Sequence, residues 1–251
     1  MTKAIALSRL AARPVLDVWR GLDRCLAPPA GVPQLGLVFL GLVAGWWIYV
    51  PVHELLHAAG CLATGGTVSR LEVQPLYGGT LLAAWLPWVV AGGEYAGRLA
   101  EFDTGGSDWV YLATDLAPYV LTVFPGVFAL LWAGRRGRPA LYGFTLPWAL
   151  APFLSLPGDA FEIGTLAVTQ VAPWRDLADT LRGDDAVLWV ASAGPGAPWG
   201  GFVLSLILGL LWAYATYGLG ALVARRLGAT HLSSTPSFQN PPLSDLPRGA
   251  S

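Results

Sequence analysis

His53-Glu54-Leu55-Leu56-His57 is the stretch of this sequence best equipped for chemistry. The histidines stand four residues apart, which puts both imidazoles on one face of a helix, within reach of one metal ion and with Glu54 beside it. Zinc suits such a pair. It lowers the pKa of a bound water to about 7, and a neighbouring glutamate can take that proton and pass it to a leaving amine. Two of the three histidines in the chain fall inside this pentapeptide, so chance is a poor account of it.

Two imidazoles are one protein ligand short of a catalytic zinc site. Asp159 is the first choice for the third ligand, because Pro157-Gly158 before it breaks a helix and can turn the carboxylate inward. Glu162, one turn further on, Asp115, and Cys61, four residues after His57, are the alternatives. Asp115 also suits the wall of a polar cavity or a bond that orients a ligand.

The elements that carry these residues must be membrane helices. The chain of 251 residues is 54% hydrophobic and 12% charged, with 12 Trp, far too apolar for a soluble domain. A net charge of -1 excludes an electrostatic nucleic-acid partner, and two cysteines make no disulfide framework. Charge-free runs follow Arg24, Asp115, Arg138 and Asp185, each long enough to cross ~30 Å of hydrocarbon. They predict four transmembrane helices, at 34–62, 109–133, 139–165 and 199–224, in an all-α polytopic protein. A β-barrel would need short alternating segments instead.

Lys and Arg set the orientation. Lys3, Arg9, Arg13, Arg20 and Arg24 precede the first span, Arg135, Arg136 and Arg138 join the second to the third, and Arg225 and Arg226 follow the last. Loops 64–108 and 166–198 carry more acid than base. The pattern predicts a multi-pass protein, as in a bacterial inner membrane, with both termini cytoplasmic. His53 then lies about 19 residues and Asp159 about 20 residues beyond the inner starts of two spans that run the same way, so the two share a depth. Charge inside a bilayer is costly, and three polar residues in five positions call for a partner. Pro51, just before the motif, frees the Trp47 carbonyl.

Outside the spans, Leu16, Trp19, Leu22 and Leu26 recur at helical spacing after Pro14, predicting an amphipathic helix at the cytoplasmic surface within residues 1–30. The stretch Val68–Gln74 alternates, and Tyr77-Gly78-Gly79-Thr80 is a turn signal before Leu81–Val90. These predict a membrane-associated β-hairpin over 66–92. The Ser- and Pro-rich tail, 228–251, reads as disordered.

The membrane-embedded His53-Glu54-Leu55-Leu56-His57, the Gly-rich extended segment after it and an Asp after a Pro on a later span resemble the site-2 proteases, intramembrane zinc metalloproteases with a three-helix core. The resemblance covers about residues 34–165. It implies that His53, His57 and Asp159 bind zinc, that Glu54 is the catalytic base, and that the hairpin, with Tyr77, Gly78 and Gly79 in its turn, holds a membrane-protein substrate extended. Asp159 precedes Ala160 where the family usually has Gly, and no PDZ-like domain fits in the chain.

The expected function is hydrolysis of peptide bonds in or near membrane segments of substrate proteins. Two alternatives stand beside it. Asp115, Asp159, Glu162 and the histidines could form an ion or proton path, or the site could be a metal-binding scaffold without catalysis.

Overall fold

The computed structural model describes residues 2–27, 31–171, 180–182 and 185–229. Helix α1 (Thr2–Leu26) precedes α2 (Val32–Ala63), which carries the histidine pair. A small sheet follows, built from β1 (Thr67–Val73), β2 (Val89–Ala91) and β3 (Gly97–Asp103), with a short helix α3 (Gly79–Ala83) between β1 and β2. The chain then returns through α4 (Asp108–Leu116), α5 (Tyr119–Leu121), a π-turn and α6 (Val127–Arg135). Helices α7 (Pro139–Leu154), α8 (Asp159–Val171), α9 (Ala186–Ser192) and α10 (Trp199–Arg226) complete the described chain. The tail expected to be disordered lies, from residue 230 on, outside the described residues.

Among the described residues three helical segments are long and apolar enough to cross a membrane: Val32–Ala63, Asp108–Arg135 and Trp199–Arg226. Their outer rows are apolar and exposed, with Phe39 at 62%, Val43 at 51% and Leu211 at 58%. Such rows are at home in lipid and costly in water. The chain is a helical membrane protein.

The predicted continuous helix over 139–165 is two helices. Pro157 has no N–H to give, and α7 stops at Leu154. The Ser155 carbonyl takes up the slack, accepting from Gly158 N at 2.9 Å and Ala160 N at 3.1 Å. With 16 residues, α7 is about 24 Å long, short of the ~30 Å of a full crossing.

Small residues let the helices approach. Gly41 and Gly45 of α2, spaced as in a G-x-x-x-G pair, lie against the α7 backbone; a Cβ at either would sit 2.0 Å from Ala140 O or 2.1 Å from Phe144 O. Gly143 answers from α7, where a Cβ would sit 1.9 Å from Val38 O. From Gly41 against Ala140 to Gly45 against Phe144 the contacts advance together along both helices, so α2 and α7 run parallel. A second seam joins α8 to α10, Gly164 against Ser205 and Gly209 against Ala160, and these run antiparallel. Buried polar groups bond across such seams: Trp148 Nε1 donates to Gly45 O at 3.2 Å and Thr122 Oγ1 to Trp148 O at 2.9 Å.

A helix forms at the N-terminus, with Pro14 inside it rather than at its start, and the docked row shares Leu22 with the apolar row read from sequence but otherwise differs from it. Gly21 and Cys25 are buried, Val18 and Leu22 pack on the core formed by α6, α7 and α10, and Tyr142 Oη donates to Val18 O at 2.5 Å. Leu16 and Trp19 face outward, exposed at 39% and 67%.

The hairpin expected over 66–92 is a three-stranded sheet in the order β2-β1-β3. Leu81–Val90 does not return as an antiparallel strand. Gly78 takes φ 85° and starts α3, Pro87 cannot donate to a ladder, and only Val89–Ala91 pairs, parallel to β1. The antiparallel partner is β3, running from Thr67↔Asp103 to Val73↔Gly97 with a bulge near Arg70. Leu71 and Val73 are fully buried against Val89, Leu55 and Leu86, which seats the sheet on α2 beside the histidine motif.

Candidate metal centre

One turn of α2 presents His53 and His57 to the same point. Their Nε2 atoms lie 3.0 Å apart. The other ring nitrogens are held from behind: His53 Nδ1 is 2.6 Å from Tyr49 Oη, and His57 Nδ1 is 2.8 Å from Thr114 O. A carbonyl only accepts, so His57 Nδ1 carries the hydrogen and, in the neutral ring, Nε2 offers a lone pair. Such backing partners for imidazole ligands are usual in metal sites.

Asp159 arrives from the start of α8. One carboxylate oxygen is 3.2 Å from His53 Nε2 and the other 3.5 Å from His57 Nε2. The first, Oδ2, is buried and has no hydrogen-bond partner of good geometry among the described residues. Three ligands about 2.0–2.1 Å from one tetrahedral ion stand about 3.3 Å from each other, close to the spacings here. Among the described residues His53, His57 and Asp159 are the one group of three such side chains that could share an ion.

The break before Asp159 is pinned on two sides. Ser155 Oγ lies 2.8 Å from Tyr119 Oη, and Ala186 N donates to Pro157 O at 2.6 Å. These bonds fix where α8 begins and hence where its first carboxylate points.

Glu54 stands on the cavity side of α2, pressed by β3; a Cβ at Gly97 would lie 2.4 Å from Glu54 Cγ. The cavity measures about 290 Å³, and Glu54, His57 and Asp159 open onto it, facing β3 residues Gly97 to Ala100. Glu162 and Asp115 line it without joining the metal-ligating group. Tyr111 Oη donates to Glu162 Oε2 at 2.5 Å, and Asp115 is buried with Oδ2 unbonded among the described residues. Asp185, also in the wall, caps α9 by accepting from Leu188 N at 2.8 Å.

Cys61, the remaining alternative ligand, is fully buried, with Sγ 3.6 Å from Thr67 O, and packs against Gly66. Tyr77, Gly78 and Gly79 do not line the cavity. Tyr77 packs in the core of the sheet and Gly79 abuts the Val73 carbonyl. The strand facing Glu54 is β3, because β1 is the centre of the sheet and β3 its edge on the side of α4 and the cavity.

Sequence reasoning passed over Tyr49, although it precedes His53 by one helical turn and so had to share its face. It also passed over the Thr114 carbonyl, a backbone group that no side-chain pattern reveals. No family model, no curated protein and no solved structure matches this chain.

Proposed function

We propose that the protein is an intramembrane zinc peptidase of the kind the site-2 proteases exemplify, acting on peptide bonds in or near membrane segments of other proteins. The observation that carries this reading is the meeting of His53 Nε2, His57 Nε2 and the Asp159 carboxylate at zinc-ligand spacing, with Glu54 beside them on a cavity. Zinc bound there supplies a Lewis acid that polarises a carbonyl and acidifies water.

The chain's own groups do the rest. Thr114 O and Tyr49 hold the imidazoles in register. Glu54 accepts the proton of the attacking water and returns it to the leaving amine, a role that needs a carboxylate free to face the cavity. The cavity wall is β3, the edge of its sheet, so an extended substrate segment can bond to it as a fourth strand. Strand addition holds a peptide out of its helix, where its carbonyl can be reached.

The test is Glu54→Gln in purified full-length protein. Zinc should stay stoichiometric while cleavage of single-span membrane peptides falls about 10²–10⁴-fold. Protein that carries no zinc, or a variant that cleaves as well as the wild type, overturns the reading.

A second reading rests on Asp115, buried in the wall of the same cavity as Glu162 with an oxygen that has no hydrogen-bond partner among the described residues. Acids placed this way also serve ion or proton paths. Flux through proteoliposomes that persists in Glu54→Gln and after chelation would favour it.

A further inference from the structure

At the end of the bundle away from His53, α1 and α6 enclose a second cavity of about 190 Å³, lined by Asp17, Arg20, Arg24, Leu130, Leu131 and Arg135. Its lining holds three arginines, of which Arg20 and Arg24 are also exposed to the outside, and one carboxylate. That carboxylate is already engaged: Asp17 Oδ2 is 3.4 Å from Arg13 Nε and accepts from Tyr217 Oη at 3.2 Å. Arg20, Arg24 and Arg135 form no ion pair with any described carboxylate. Three like charges around one hollow repel each other unless an anion joins them.

The surroundings belong to a membrane surface. On the outer side of α1, Val15, Leu16 and Trp19 are exposed at 70%, 39% and 67%. On α6, the Trp132 ring lies under both Arg136 and Arg138, whose guanidinium carbons are 4.8 and 5.0 Å from its centre. Exposed apolar side chains and ringed tryptophan beside arginines mark the level of lipid headgroups. The floor of the cavity is Leu130 and Leu131, buried and apolar.

We infer that this cavity is a binding site for a phosphate group, with the three arginines as its ligands and the headgroup of an anionic phospholipid as its source. Arginine's planar fork pairs two donors with two phosphate oxygens, and basic hollows between helices at the membrane surface take lipid headgroups in this way. The apolar floor then receives the carbon chain next to the phosphate. A site here ties α1 to the bundle through the lipid as well as through Tyr142.

The test uses the full-length protein in a zwitterionic detergent, titrated separately with short-chain phosphatidylglycerol, with phosphatidylcholine of the same chain length and with inorganic phosphate. Bound ligand is read by native mass spectrometry and by the unfolding temperature. Phosphatidylglycerol should bind and raise the unfolding temperature, and phosphatidylcholine should bind much more weakly. Arg24→Ala and Arg135→Ala should each weaken phosphatidylglycerol about fivefold, while Arg226→Ala, on the exposed end of α10, leaves it unchanged. Arg24→Lys and Arg135→Lys keep the charge without the fork, and intermediate affinity in them supports the site even where an alanine variant unfolds. Inorganic phosphate binding as tightly as the lipid upholds the anion site and overturns the lipid as its source. Equal affinity for phosphatidylcholine, or equal loss from Arg226→Ala, overturns the proposal.

Discussion

His57 gives its Nδ1 hydrogen to the carbonyl of Thr114, 2.8 Å away on α4 and 57 residues along the chain. That bond settles which nitrogen of the ring faces Asp159. It also makes α4, which contributes no side chain to the His53, His57 and Asp159 group, part of the candidate metal centre.

Tyr49 does the same for His53. Tyr49→Phe removes the 2.6 Å contact to Nδ1 and leaves the tilted ring contact in place. Zinc affinity, measured by competition with a chromophoric chelator, should fall about 10–100-fold. Unchanged affinity would mean that packing alone orients His53.

Gly97 tests the bond between strand and base. A methyl at this position meets Glu54 Cγ at 2.4 Å, so Gly97→Ala must push the carboxylate aside. Zinc content should hold near wild type while peptide cleavage drops about 10²-fold, the scale of losing a positioned general base. Equal loss of metal and activity would place the damage in the ligands instead.

The helix break is a third target. In Pro157→Ala/Gly158→Ala the chain regains a donor and loses its most flexible residue, so α7 can run on toward α8. Asp159 then rotates with the continued helix. The expected result is zinc affinity lower by about tenfold or more with the helical circular dichroism preserved. Full retention of zinc would show that the bonds from Tyr119 and Ala186 hold the break without Pro157 and Gly158.

Gly143→Ala probes the α2–α7 seam, since the new Cβ would lie 1.9 Å from Val38 O, a backbone atom that cannot swing away. Overpacking of this kind costs about 1–3 kcal/mol, to be read as a shift in unfolding by denaturant in micelles. Gly36→Ala, on α2 with open space around it, is the matched control and should lose no stability, since alanine is the better helix former.

The histidine pair and Asp159 were legible because helix geometry converts residue counts into depth, and charge is scarce in the spans. The sheet was less legible. Leu81–Ala84 is as compatible with helix as with strand, and the αL turn at Gly78 resolves it toward helix. The strand β3 had signals of its own, since Gly92-Gly93 before it and Gly105-Gly106 after it bound a strand-length segment. They were masked by the charges at Arg98, Glu101 and Asp103, which suit an edge facing water and acids. The interruption at Pro157-Gly158 was visible, but its extent was not. Where a broken helix resumes depends on bonds from Tyr119 and Ala186, both distant in sequence.

The two glycine seams divide the candidate metal centre between two pairs of helices. His53 and His57 ride on α2, fastened to α7; Asp159 rides on α8, fastened to α10. The chain passes from one pair to the other through the turn from Ser155 to Gly158, and α10 also packs on α6 and α7 through Tyr217 and Ala221. An ion held by all three side chains would therefore add one more tie between the two pairs, placed beside that turn rather than in the α10 core. Loss of such an ion would loosen the start of α8, where Asp159 sits, before it touched the packing of α10 on α6 and α7.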